Sequence, residues 1–172
     1  TGKGVRGDTK SFEVTKQANG SFALDATVEG VRIRTMDSKS TTTIPGTLVT
    51  STTLNFTDGA AVDAQFYTQK VVSYYKERNG RNSIDGAGGE MITKVHYDLK
   101  LNNASWNGKS MQYGDGDGVK QNAFSAAYDV IAHELSHGVT EHSSNLIYKN
   151  ESGGLNEAFS DIIGVMYSHF VK

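Results

Sequence analysis

The run His133-Glu134-Leu135-Ser136-His137, followed by Glu157-Ala158-Phe159-Ser160-Asp161, constrains this chain more than any other pair of segments. Two histidines four apart on a helix stand about 40° apart around its axis and roughly 6 Å apart along it. Both imidazoles can therefore grip one ion from the same face. Glu134, one step round, stands beside that ion without having to bind it. This is the arrangement for a zinc ion with activated water and a carboxylate base.

The local pattern supports helices on both sides of the site. Phe124 to Val139 reads as one helix, with Ala127, Ile131, Leu135 and Val139 as its apolar stripe and Gly138 near its end. The histidines flank that stripe, at the edge of a core. A third histidine ligand in the pattern His-x-x-Gly-x-x-His is excluded, because Thr140 and Ser143 occupy the required positions, although His142 lies close by. A glutamate on a following helix is the other solution. Ser152-Gly153-Gly154 reads as that helix's start, and Leu155, Phe159, Ile162, Ile163 and Met166 as its apolar face. Glu157 and Asp161 are then i and i+4, so one can reach the metal while the other reaches a ligand's far nitrogen. Alone, Glu157 reads as a solvated helix carboxylate; in this spacing it reads as the ligand.

Upstream, Lys10 to Met36 alternates with the period of strands, through Phe12/Val14, Phe22/Leu24 and Val31/Ile33. Asn19-Gly20 and Glu29-Gly30 mark hairpin turns. Ser38 to Thr43 is polar and reads as a loop. Asp58 caps a helix at about 59–79, with Ala60, Ala64, Tyr67, Val71, Tyr74 and Tyr75 on one core-facing side, ending before Gly80. Gly86-Ala87-Gly88-Gly89 reads as loop and Ile92 to Leu99 as a strand. The expected fold class is α+β: a β-rich N-terminal lobe with antiparallel hairpins, then a central zinc-binding helix and a second ligand-bearing helix. Residues 1–172 form one domain in this reading, 1–124 mostly β with one helix and 125–172 the zinc-site helices.

Composition narrows the function classes. With 172 residues, 37% of them hydrophobic, the chain can bury one sizeable core. It has no apolar run near 18 residues and no charged-then-apolar leader at Thr1, so neither a membrane span nor a signal peptide is expected. A net charge of −2 leaves no electrostatic footprint for nucleic acid or an anionic membrane. The absence of cysteine excludes disulfides and thiol catalysis. Gly2-Lys3-Gly4-Val5-Arg6-Gly7 matches a dinucleotide fingerprint without a preceding strand or following helix. Ser136 beside His137 lacks the elbow of a serine hydrolase. Asp115-Gly116-Asp117-Gly118 opens like a calcium loop, but Val119 fills the next ligand position, so it reads as a tight turn.

From Val95 to Gly164 the chain resembles the thermolysin-like neutral zinc metalloproteases. The match is carried by Asn103-Ala104-Ser105-Trp106-Asn107-Gly108, Tyr113-Gly114-Asp115-Gly116-Asp117-Gly118, the runs 129–140 and 146–148, and Asn150 through Asp161. Thr43-Ile44-Pro45-Gly46 and Ala61-Val62-Asp63-Ala64 extend it more loosely into the front half. The resemblance implies that His133, His137 and Glu157 bind zinc, that Glu134 moves the proton from water to the leaving amine, and that Tyr148 steadies the oxyanion. It implies that Asp161 hydrogen-bonds His133 and that Asn156 supports His137. Asn103 and the Ala104 carbonyl would hold the substrate backbone as an added strand. Phe124 and Val130 fall where the family lines an apolar pocket for the residue after the cut.

The same resemblance implies a secreted, extracellular zinc endopeptidase acting on peptide or protein substrates, with no nucleic-acid or membrane partner. The family's C-terminal helical domain is not expected in this chain. The missing C-terminal half, or a second chain that carries it, would complete the cleft, and the chain alone would be weakly active or inactive. Calcium in the intact enzyme is left open, since Asp129 matches a family calcium ligand while Ser168 stands where a carboxylate is usual. A noncatalytic zinc-binding module is the alternative reading. Glu134 argues against it, because a structural site has no use for a base beside an open coordination position.

Overall fold

The computed structural model describes residues 1–42 and 46–171. The Thr43-Ile44-Pro45 part of the resemblance lies outside them. In chain order the strands are β1 (Gly2–Lys3), β2 (Thr9–Lys10), β3 (Thr15–Lys16), β4 (Phe22–Ala23), β5 (Asp25–Val28), β6 (Val31–Thr41), β7 (Thr47–Leu48) and β8 (Thr50–Ser51). Helix α1 (Gly59–Asn79) follows, then β9 (Met91–Tyr97), β10 (Ala104–Trp106) and β11 (Met111–Tyr113). The helices α2 (Tyr128–Glu141) and α3 (Asn150–Phe170) close the sequence.

Both predicted hairpin turns form. β3 and β4 pair antiparallel around Gly20, whose φ is +87°. β5 and β6 pair from Asp25↔Arg34 to Val28↔Val31, with Glu29 and Gly30 both at positive φ, as a two-residue turn requires. The main sheet runs β10-β11-β9-β6-β5, with β7 also on β6. Within it, β6 pairs parallel with β9, and β9 with β11. Parallel neighbours need a long crossover, and α1 supplies the one between β6 and β9. β10 lies at one edge of this sheet, with no strand beyond it among the described residues.

Helix α1 starts where Asp58 accepts a hydrogen bond from the Ala61 N–H at 3.1 Å and stops at Gly80, whose φ of +61° suits a residue without Cβ. Its tyrosines serve the core: Tyr74 and Tyr75 are buried with Val71, Val72, Ile131, Leu135 and Tyr167. The helix is covered on a second side as well. The Glu13 backbone bonds the Gln69 side chain, Val5 N–H donates to Asp63, and Lys10 pairs with Asp63 at 2.8 Å. That contact explains why Phe12 and Val14 lie outside any strand: their segment is held by the helix's polar side chains.

Other boundaries move for identifiable reasons. Ser38 to Thr41, expected as loop, continues β6, because Thr41 still pairs with Tyr97 beyond a bulge that puts Lys39 and Ser40 at positive φ. β9 ends at Tyr97 rather than Leu99, as Asp98 turns to φ +60°. α2 begins at Tyr128. Phe124–Ala126 forms a separate 3-10 turn tied to the sheet by Phe124 N–H donating to the Gly114 carbonyl. α3 begins at Asn150, with Ser152 already in its first turn and its hydroxyl bonded to the Lys149 carbonyl at 2.9 Å. Asp115-Gly116-Asp117-Gly118 is the tight turn expected: Asp117 Oδ1 accepts the N–H groups of Val119, Lys120 and Gln121.

Candidate metal centre

Helix α2 lies between α1 and α3 beneath the free edge of the sheet, buried through Ile131, Leu135 and Val139. Ser136, inside the histidine motif, faces away from the site. Its hydroxyl lies 2.6 Å from the Tyr75 hydroxyl and donates back to the Ala132 carbonyl. This bond fixes the rotation of α2, which leaves His133, Glu134 and His137 turned toward α3 and β10.

The two imidazoles converge. His133 Nε2 and His137 Nε2 are 2.9 Å apart, and Glu157 Oε2 and Oε1 lie 3.2 and 3.6 Å from them respectively. His133 Nδ1 donates to Asp161 Oδ1 at 2.9 Å, since a carboxylate only accepts. His137 Nδ1 donates to Asn156 Oδ1 at 2.7 Å. The Asn156 amide is oriented by its own Nδ2, which donates to the Leu146 carbonyl at 3.2 Å. With each Nδ1 carrying its ring's hydrogen, both Nε2 atoms present lone pairs to one another and to a carboxylate. Three acceptors gathered so closely call for a cation between them. Nitrogen ligands about 2.0–2.1 Å from a tetrahedral zinc ion stand roughly 3.3 Å apart, close to the spacing found. The donor set of two imidazoles and one carboxylate fits zinc with a position left open. Among the described residues, no other group of three histidine, aspartate or glutamate donors converges this way.

Glu134 is 6% exposed and faces the same space. Burial first, and then the neighbouring Glu157 charge, push its carboxyl up to about 7, while the Trp106 backbone N–H pulls the other way. A divalent cation beside it would draw it back down. Tyr148, 67% exposed, donates its hydroxyl to Glu157, and that contact pushes the phenol up to about 12. A cavity of about 430 Å³ opens beside His133 and Glu134, lined by Asn103, Ala104, Phe124 and Val130. Asp129, in the first turn of α2, lies at the far side of that cavity, where its carbonyl is 2.9 Å from the place a Cβ on Gly164 would take. Apart from Asn156, which stands behind His137, the site residues expected from the sequence line two adjoining cavities between β10, α2 and α3.

Two neighbours were not foreseen. Ser160 Oγ sits 3.2 Å from His137 Nδ1, one turn after Asn156, so the i, i+4 pair Asn156/Ser160 mirrors Glu157/Asp161. Trp106 donates its indole N–H to Glu141 Oε2 at 2.6 Å, joining the end of β10 to the end of α2. The first was legible as helical spacing. The second spans two elements that only the fold brings together.

Known proteins match along the whole chain. The family model of the thermolysin metallopeptidase catalytic domain matches residues 1–141, and that of the thermolysin metallopeptidase alpha-helical domain matches 144–172. A bacillolysin of Brevibacillus brevis is 50% identical over 96% of this chain and 31% of its own length. A thermolysin of Bacillus sp. (strain EA1) is 42% identical over 99% of this chain and 32% of its own. The chain therefore spans about a third of the length of the curated relatives it matches. Among solved structures, the precursor of protealysin, a metalloproteinase from Serratia proteamaculans, superposes with a TM-score of 0.77 at 36% identity, over 85% of this chain and 46% of that one. With a catalytic-domain match over most of its residues and the histidine and glutamate ligand set in place, this chain belongs to the thermolysin metallopeptidase family.

Proposed function

We propose that this chain carries the zinc site of a secreted, thermolysin-type endopeptidase, which hydrolyses peptide bonds with a preference for an apolar residue after the cut. The observation that carries the reading is the convergence of His133, His137 and Glu157 with a buried carboxylate, Glu134, beside them and outside the ligand set. Zinc held there supplies a Lewis acid and brings the pKa of water toward neutrality. The chain's own residues do the rest. Asp161 and Asn156 fix the ring orientations. Glu134 takes a proton from water and delivers it to the leaving amine nitrogen, a transfer worth typically 10²- to 10⁴-fold in rate. The Tyr148 hydroxyl, released from Glu157, donates to the oxygen on which charge develops.

Substrate binding follows from the free edge. β10 presents Asn103 and the Ala104 carbonyl to an extended peptide, which adds as a further strand. Phe124 and Val130 line the apolar cavity for the side chain that follows the scissile bond. On α3, Leu155, Ile162, Val165 and Met166 are each more than half exposed on a helix otherwise packed against α2. Such an apolar face is unusual for a finished surface, and it suits the remaining helical half of the family's longer chains. In this reading residues 1–172 fold as one unit that forms one wall of the cleft, and the other half supplies the second wall. Calcium, in this reading, binds the intact enzyme at a site that this other half completes around Asp129. The test is metal analysis and peptide hydrolysis by the full-length enzyme. One bound zinc per chain and cleavage before apolar residues are expected, and a stoichiometric zinc protein with no hydrolysis would leave only a zinc-binding module.

A further inference from the structure

Three cavities follow one another along a single face of α2. The first, beside Val130, holds the apolar lining of Phe124. The second, of about 370 Å³, is the metal cleft at His133 and His137. The third, of about 410 Å³, lies between His137 and Glu141 on α2 and Trp106 to Gly108 at the end of β10, with Leu146 and Tyr148 closing its far side. The helix thus lines all three with Val130, His133, His137 and Glu141, spaced three or four residues apart on one face.

We propose that the third cavity is the subsite for the side chain two residues before the scissile bond, and that Glu141 selects a cationic one, arginine or lysine, there. The proposal rests on the endopeptidase reading and deepens it. Side chains of an extended peptide alternate, so residues two apart face the same way at about 7 Å spacing. The residue after the cut enters the first cavity, on the α2 side of β10. The next residue to face α2 is therefore the second one before the cut, and it emerges opposite Trp106. From there a long side chain reaches the third cavity.

The lining matches a cation on an apolar stem. Among the described residues, the cavity lining has one carboxylate, Glu141, and no lysine or arginine. The carboxylate is held in place, because Oε2 accepts the Trp106 indole N–H at 2.6 Å. Oε1 is left for a second donor. The Trp106 and Tyr148 rings offer aromatic faces, which attract guanidinium and ammonium groups, and Leu146 offers an apolar surface for the methylene stem. An acidic side chain in the same place would meet Glu141 unpaired.

The experiment uses the full-length zinc enzyme and two peptides that differ at the second residue before the cut, arginine in one and citrulline, its neutral isostere, in the other. Wild type is expected to favour arginine about three- to tenfold in kcat/KM, the range for an exposed ion pair joined to a cation–π contact. That preference should shrink as salt is raised. Glu141→Gln keeps an oxygen for the Trp106 N–H and should bring the ratio near one, while Glu141→Lys should bring it below one. If Glu141 only braced Trp106, Glu141→Gln would leave the ratio where it stands in wild type, and the proposal would fall. Equal cleavage of both peptides by wild type overturns the subsite while leaving the endopeptidase intact. No cleavage of either overturns the endopeptidase and the subsite together.

Discussion

Asp161 Oδ1 accepts the Nδ1 hydrogen of His133 at 2.9 Å, a bond that crosses from α3 to α2 and fixes which nitrogen of the ring faces the metal position. Removing such a partner loosens the ring and lowers its basicity, at a typical cost of 10- to 100-fold in metal affinity. Asp161→Ala is expected to weaken zinc binding within that range, and Asp161→Asn less, because an amide oxygen still accepts. Competition against a chromophoric chelator measures it, with circular dichroism showing that the helices persist.

Glu134 stands apart from the ligand triplet, so its loss should separate metal binding from turnover. Glu134→Gln in the full-length enzyme should retain one zinc per chain and lose at least 10²-fold in kcat. Unchanged peptide hydrolysis in that variant would remove Glu134 from the chemistry.

His96 bridges two elements of the front lobe. Its Nε2 is 2.9 Å from Asp58 Oδ2, the cap of α1, and its Nδ1 is 2.8 Å from Asp115. The Asp58 hydrogen bond above all, opposed by partial burial and helped by Asp115, pushes the imidazole up to about 9. Folded pKa above the ordinary value near 6.5 means that charged His96 stabilises the fold. The contribution is complete below about pH 6 and is lost as pH rises through 9. With the pair partly solvated, it is worth about 1–2 kcal/mol. The melting-temperature gap between wild type and His96→Gln should accordingly be widest near pH 6 and close by pH 10.

Lys94 is 1% exposed on β9, and its Nζ has no hydrogen-bond partner among the described residues. Its neighbours in the sheet register are Met36 and Gln112. Burying an ammonium without a counter-charge costs roughly several kcal/mol, whereas burying a methionine of similar length is favourable. Lys94→Met should raise stability by about 1–3 kcal/mol in urea denaturation. A loss of stability would mean that the ammonium finds a partner in solution.

The exposed apolar face of α3 predicts complementation. Mixing this chain with the remaining helical half of the family's longer sequence should restore hydrolysis, and Ile162→Asp with Met166→Lys should prevent it without removing the zinc ligands. Robust casein hydrolysis by the isolated chain would show that the second wall is dispensable.

The grouping of His133, His137, Glu157 and Asp161 was legible in the sequence, because helical spacing alone puts His133 beside His137 and Glu157 beside Asp161. So were the α1 caps at Asp58 and Gly80 and the turns at Gly20 and Gly30, since each depends on a few adjacent residues and their allowed backbone angles. Local chemistry could not reveal the parallel pairing of β6 with β9 and of β9 with β11, which joins segments far apart in the chain through hydrogen bonds that carry no side-chain signature. The same holds for the separate turn at Phe124 and for Trp106 meeting Glu141. The sequence by itself determined which chemistry the site could perform, because coordination needs particular side chains at fixed spacing on one helix. Only the tertiary structure decided what surrounds it, because a cleft is the space left when distant elements pack, and no single stretch of chain encodes that space.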